Sequence, residues 1–163
     1  MTGLDVVERA RSAVAGGCIY KLGKGGFNPK ALAPWSKQMQ CDCSGFVSWA
    51  LGVNRKTDNP WYVAYNGGWF ETSAIVRDAL SSYGVFTEVA RYDALPGDVL
   101  VWGDSGGAQG HVGIVSGPTT IIHCSKGNYT TTGDAIRETA TTIFDSHKAI
   151  AARCAWVDAK DTV

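Results

Sequence analysis

The sequence has no excess of charge of either sign. Fifteen lysines and arginines balance fifteen aspartates and glutamates in 163 residues, so no broad field gathers nucleic acid or an anionic membrane. No apolar run approaches the length needed to cross a bilayer. The first residues, which carry Asp5, Glu8, Arg9 and Arg11, lack the unbroken apolar stretch of a secretory signal. The chain is therefore expected in the cytoplasm or beyond it by a route that needs no such signal. There is no internal repeat, low-complexity tract or linker-like stretch, so one domain over residues 1–163 is expected. An even set of cysteines is also missing. The five are Cys18, Cys41, Cys43, Cys124 and Cys154, and at least one is unpaired within the chain. Cys41 and Cys43 are separated by one residue, tighter than the usual zinc spacing, and no metal or organic cofactor is expected.

What is present divides into two halves. Leu4, Val7, Ala10 and Val14 form one helical stripe that Gly16 and Gly17 terminate. A glycine- and proline-rich stretch from Tyr20 to Gln40 reads as a long ordered loop. Cys43, Phe46, Val47, Ala50 and Leu51 then repeat at helical spacing, with Asp42 as N-cap and Gly52 as the stop. An aromatic segment, Asn59 to Phe70, precedes a further helix capped by Thr72 and ending near Ser82. Trp61, Trp69 and Phe70 in that segment either wall a groove or join the core, and at least two of them are read as core. Beyond it the pattern becomes strands: Val85–Val89, Val99–Trp102, Val112–Val115, Ile121–His123 and Ala149–Val157. Helices first and strands later predict an α+β domain with an antiparallel sheet.

A cysteine at a helix start has an electrostatic reason to be there. First-turn N–H groups favour a thiolate over a thiol, and the thiolate is the nucleophile. Cys43 meets that condition, although most cysteines so placed are structural. His111 starts one predicted strand and His123 ends the next, across a turn at Gly117–Pro118. With a three-residue loop centred on Gly117 the two histidines lie opposite each other on one face; a two-residue loop puts them on opposite faces. On one face, one imidazole can orient the other. His147 falls outside every motif and is read as a surface histidine.

These residues carry a resemblance. Asp42-Cys43-Ser44-Gly45-Phe46-Val47 resembles the nucleophile motif of the NlpC-type cell-wall peptidases, a papain-like family. Leu95-Pro96-Gly97-Asp98-Val99-Leu100-Val101-Trp102 resembles the strand before the family's histidine, and Gly110-His111-Val112-Gly113-Ile114-Val115 the histidine motif. Ile121-Ile122-His123 matches the position of the third, polar catalytic residue. Tyr20, followed by Gly23 and the Gly25–Gly26 pair, is similar to the segment upstream of the nucleophile. The motifs occur in the family order.

The resemblance implies a papain-like fold in which the nucleophile helix packs on an antiparallel β-sheet. It implies cysteine-peptidase cleavage of stem-peptide amides in peptidoglycan, most commonly between the γ-carboxyl of D-glutamate and a diamino acid. The catalytic residues would be Cys43, His111 and His123. Tyr20, Asp42 and Ser44 would hold the substrate, though Asp42 serves equally as an N-cap and Tyr20 as a packed aromatic. The rivals are an amidase or an acyltransferase using the same dyad, and a non-catalytic wall-binding module. The expected partner is a peptidoglycan stem peptide, with neither nucleic acid nor membrane, and the expected state is a monomer. Phage lysis or tail enzyme, injected toxin with an immunity protein, and recycling enzyme are all compatible settings. Cys41 and Cys124 each sit beside a candidate catalytic residue; a regulatory disulfide between them is a hypothesis to test, and two inert cysteines are the favoured reading.

Overall fold

The computed structural model describes residues 1–157 apart from Tyr83; the end of the expected 1–163 domain lies outside them. Helix α1 (Gly3–Ser12) opens with a capping box: Asp5 N donates to Thr2 Oγ1 and Thr2 N donates to the Asp5 carboxylate. Its buried residues are Val6, Val7 and Ala10, whereas Leu4 is half exposed, so the apolar stripe is rotated from the expected one. Within the expected long loop, β1 (Ile19–Tyr20) and β2 (Gln40–Cys41) form a small parallel pair. Helix α2 (Cys43–Ala50) follows, capped by Asp42, whose Oδ1 accepts from Gly45 N at 2.8 Å. Every residue of α2 is buried rather than one stripe, because sheet, α1 and the glycine loop enclose it.

The aromatic segment contains its own helix, α3 (Pro60–Asn66), with Asn59 as cap and Pro at the first turn. Tyr62 and Phe70 are fully buried and stacked, and Trp61 packs edge-on against Tyr62. Helix α4 (Thr72–Ala79) is capped by Glu71, whose carboxylate accepts from Ser73 N and Ala74 N; Thr72 is its first residue rather than its cap.

The remainder builds a sheet of β3 (Phe86–Val89), β4 (Val99–Trp102), β5 (His111–Gly117), β6 (Thr120–Cys124), β7 (Ile136–Ala140) and β8 (Ile150–Cys154). Their spatial order is β3-β8-β4-β5-β6-β7, antiparallel throughout. Helices α5 (Lys126–Thr132) and α6 (Thr142–Ser146) flank β7. Helices α1, α2 and α4 cover one face, against Val99, Val101, Val112, Ile114 and Ile122. Phe144 of α6 covers the other, with Leu100, Val115, Ile121 and Ala151. Burial on both faces explains why β4 is a continuous apolar run.

The β5–β6 hairpin departs from the expected geometry. Gly117 pairs with Thr120, leaving a two-residue turn, and taken alone this would split the histidines between faces. A bulge between Val115 and Gly117 absorbs one residue, after which Val115 pairs with Ile121 and Ile114 with Ile122. The extra residue restores parity, and His111 and His123 share a face after all.

Candidate active site

Cys43 begins α2 at the floor of a groove of about 360 Å³ that Tyr20, Asp42, Ser44, Arg55, Trp69 and Glu71 also line. Its sulfur is largely covered, with 5% of the residue exposed. Burial, seconded by the negative charge of Asp42, pushes the thiol up to about 12. Hydrogen bonds from the N–H groups of Val112 and Ser44 pull the other way and do not prevail. The sequence argument for a lowered thiol pKa is thus reversed: the helix N-terminus is present, but desolvation outweighs it. Val112 follows His111 directly, so the sulfur sits at the end of β5 that carries the imidazole. Among the described residues, no hydrogen bond joins the Cys43 thiol to either imidazole.

The loop over α2 requires glycine. Gly26 has a positive φ of 76°, and a Cβ there would lie 2.2 Å from Ser48 Oγ and 2.5 Å from the Gly45 carbonyl. Asp42 fastens this loop. Its Oδ1 accepts from Gly45 N and Arg55 Nη1, and its Oδ2 from Gly23 N and Arg55 Nη2, at 2.5–2.9 Å. Asp42 and Arg55 are almost wholly buried, and the guanidinium lies 4.6 Å over the Trp69 ring. Each carboxylate oxygen is therefore already doubly engaged by the protein. Arg55 carried no motif signal; only the folded chain reveals it as the partner of Asp42. Ser44 is 3% exposed and borders the groove, as does Tyr20, whose hydroxyl burial drives toward the protonated form.

The two imidazoles meet: His111 Nε2 and His123 Nδ1 are 2.7 Å apart. Phe144 and Trp102 pack against the His111 ring at 5.3 and 5.4 Å, and Phe144 meets the His123 ring edge-on. This apolar box lowers His111 to about 3, with the charges of His123 and His147 adding to burial, and lowers His123 to about 4 by burial alone. Gly113 makes room for the arrangement, since a Cβ there would lie 3.0 Å from His123 Cβ and 2.9 Å from the Ile121 side chain. His147 is exposed, as expected, and stacks on Trp102 at 4.3 Å.

All five cysteines are free. Instead of bonding to Cys41 sulfur, the Cys124 thiol donates to the Cys41 carbonyl at 3.4 Å, and Cys41 donates to the Asp42 carbonyl at 3.3 Å. The disulfide considered from the sequence is absent, and the buried thiols of Cys18, Cys41 and Cys124 instead hydrogen-bond one another.

A family model described as bacteriophage peptidoglycan hydrolase matches residues 38–156, a span that runs from just before the nucleophile motif to beyond β8. The chain belongs to this bacteriophage peptidoglycan hydrolase family. The lysin of Pneumococcus phage Dp-1 is 30% identical over 102 residues, which cover 60% of this chain and 31% of that one. The chain thus spans about a third of that relative's length. Among solved structures, NlpC1 and NlpC2 of Trichomonas vaginalis align with 96% of this chain at 21% identity. Their TM-scores are 0.53 and 0.54, and 45% and 47% of those chains are covered. At that identity the likeness establishes the fold, which is the NlpC-type papain-like one.

Proposed function

We propose that this hydrolase is a cysteine endopeptidase of peptidoglycan stem peptides, acting through Cys43, His111 and His123. The observation that carries the reading is the 2.7 Å contact between His111 Nε2 and His123 Nδ1, at the end of β5 where the N–H of Val112 reaches the Cys43 sulfur. His123 fixes the ring of His111, whose Nδ1 is then the nitrogen that serves the thiol.

With the thiol high and both imidazoles low, the resting groups are neutral. Proton and nucleophile therefore move together. As Cys43 Sγ attacks the carbonyl carbon, His111 Nδ1 takes the thiol proton. The N–H of Cys43 steadies the oxyanion, since that of Gly45 is occupied by Asp42. Collapse returns the proton from His111 to the departing amine and leaves a thioester. Water, deprotonated by the same nitrogen, releases the acid and regenerates the thiol. Trp102 and Phe144 flank the imidazolium that forms transiently.

The scissile bond is taken to join the γ-carboxyl of D-glutamate to a diamino acid. The groove supports this. It presents Glu71 and Asp104, whereas its one guanidinium, Arg55, is committed to Asp42. The surplus negative charge suits the free ammonium of a diamino residue. Tyr20 and Ser44 border the groove as substrate contacts, while Asp42 acts through the loop that it holds. The reading takes residues 1–163 as one catalytic domain working as a monomer.

The test is mass spectrometry of purified muropeptides after digestion by wild type and Cys43→Ala. New D-glutamyl termini and free diamino-acid amines are expected with the wild type. The variant should lose activity by about a thousandfold or more with an unchanged circular dichroism spectrum. Release of intact stem peptides from the glycan would reassign the enzyme as an amidase, and undiminished cleavage by the variant would remove Cys43 from the mechanism.

A further inference from the structure

Beyond the two histidines the hydrogen-bond chain continues. His123 Nε2 lies 2.9 Å from Thr139 Oγ1 on β7, and Thr139 Oγ1 lies 3.1 Å from the Ala140 carbonyl oxygen. We propose that Thr139 is a positioning residue that sets the tautomer of both imidazoles, and so decides which nitrogen of His111 is free to act as base. The inference rests on the reading of Cys43, His111 and His123 as the catalytic set.

The argument counts protons. A threonine hydroxyl has one hydrogen to donate, and a carbonyl oxygen can only accept. In the proposal the Thr139 hydrogen is directed to Ala140, and toward His123 the same oxygen acts as acceptor. His123 must then carry its hydrogen on Nε2, which leaves Nδ1 as a lone pair. That lone pair accepts from His111 Nε2, so His111 in turn holds its hydrogen on Nε2 and presents an unprotonated Nδ1. The chain runs one way, from His111 to His123 to Thr139 to the backbone, and ends on a group that cannot reverse it.

The opposite direction shows what is at stake. Were Thr139 to donate to His123 Nε2, His123 would carry its hydrogen on Nδ1 and donate to His111 Nε2. The hydrogen of His111 would then sit on Nδ1, and no lone pair would remain to accept the thiol proton. Burial of the two rings restricts the choice, because a ring held neutral has one hydrogen for its two nitrogens. The placement is a product of the sheet register: Thr139 pairs with Ile121 and His123 with Arg137, so the threonine sits diagonally beside His123 on the same face.

Nitrogen-15 NMR of the imidazoles at neutral pH tests this, together with kcat and KM on muropeptides for wild type, Thr139→Val and Thr139→Ser. In the wild type both rings should show a protonated Nε2 and a free Nδ1. The valine variant should show His123 as a tautomer mixture and His111 following it, with kcat lower by about tenfold and KM little changed. Serine, which keeps the hydroxyl, should restore both the tautomers and kcat. A wild-type His123 protonated on Nδ1 would overturn the proposal without any variant. So would a valine variant with unaltered tautomers and kcat, or serine behaving as valine does. Full lysis by Cys43→Ala would instead discredit the catalytic assignment while leaving the measured tautomers untouched, so the two failures are distinguishable.

Discussion

The start of α2 at Cys43 and the pair of imidazoles are held by opposite means. On the nucleophile side, a carboxylate and a guanidinium, both out of solvent, share two hydrogen bonds, and Asp42 gathers two backbone N–H groups besides. The histidine side is held by neutral contacts: two neutral rings pass a hydrogen bond along and sit in a box of Phe144 and Trp102. The difference follows from what each side must do. The nucleophile side has to hold a loop of glycines that would otherwise be free, and an ion pair with strict geometry achieves that. In the proposed mechanism the histidines accept and return a proton, which suits a pair that burial keeps neutral at rest.

Breaking the ion pair should have the larger effect. Arg55→Met leaves the Asp42 carboxylate buried without its partner, and a loss of about 3–5 kcal/mol is expected in urea denaturation. The double variant with Asp42→Asn should recover part of it. A single variant as stable as the wild type would mean that the pair does not fasten this side.

Acidification separates the sides next. Above about pH 6.5 the histidines are neutral in both folded and unfolded chains. Below it the unfolded chain takes up protons that the fold refuses, because burial holds His111 to about 3 and His123 to about 4. Stability is therefore full above pH 6.5 and falls as pH drops toward those values. The expected loss is about 2 kcal/mol per ring between pH 6.5 and 5. Urea midpoints measured across that window should show it, and His123→Asn should reduce the slope. A flat profile would mean that the rings are not held neutral.

The smallest effect probes how closely the imidazoles fit. Gly113→Ala places a methyl group against His123 Cβ and should cost about 1–2 kcal/mol in thermal unfolding. Its kcat should fall further than that loss of stability implies, since the displaced ring is the one that orients His111 in the proposed mechanism. Equal kcat would show that the position tolerates more room than the contact distances suggest.

Much of this was legible in the chain, and the misses have particular causes. Asp42 could be read as a cap because capping depends on residues three apart. Loop length alone leaves the facing of the histidines open, one face for three residues and opposite faces for two, whereas the fold reaches one face through a two-residue turn and a bulge. Helix α5, Lys-Gly-Asn-Tyr-Thr-Thr-Thr, escaped notice because its threonines are poor helix formers. Several of them bond back to carbonyls one turn earlier, and the helix has no buried residue to create a period. Strand β7 is an edge strand with only Ile136 buried, so it too lacked a pattern, and Thr139 was missed along with it. Arg55 stands in no motif, and its role exists only through a carboxylate thirteen positions earlier.

By itself the sequence determined the local features: where α2 begins, that a glycine-rich loop precedes it, which segments form strands, and that one cysteine and two histidines stand near element ends. Each depends on neighbours within a few residues. Only the tertiary structure decided the protonation. A helix N-terminus favours a thiolate, yet packing removes the water that would solvate one and brings Asp42 close, so Cys43 rests as a thiol. Desolvation is summed over everything that surrounds an atom, and most of what surrounds this sulfur and these rings comes from distant parts of the chain.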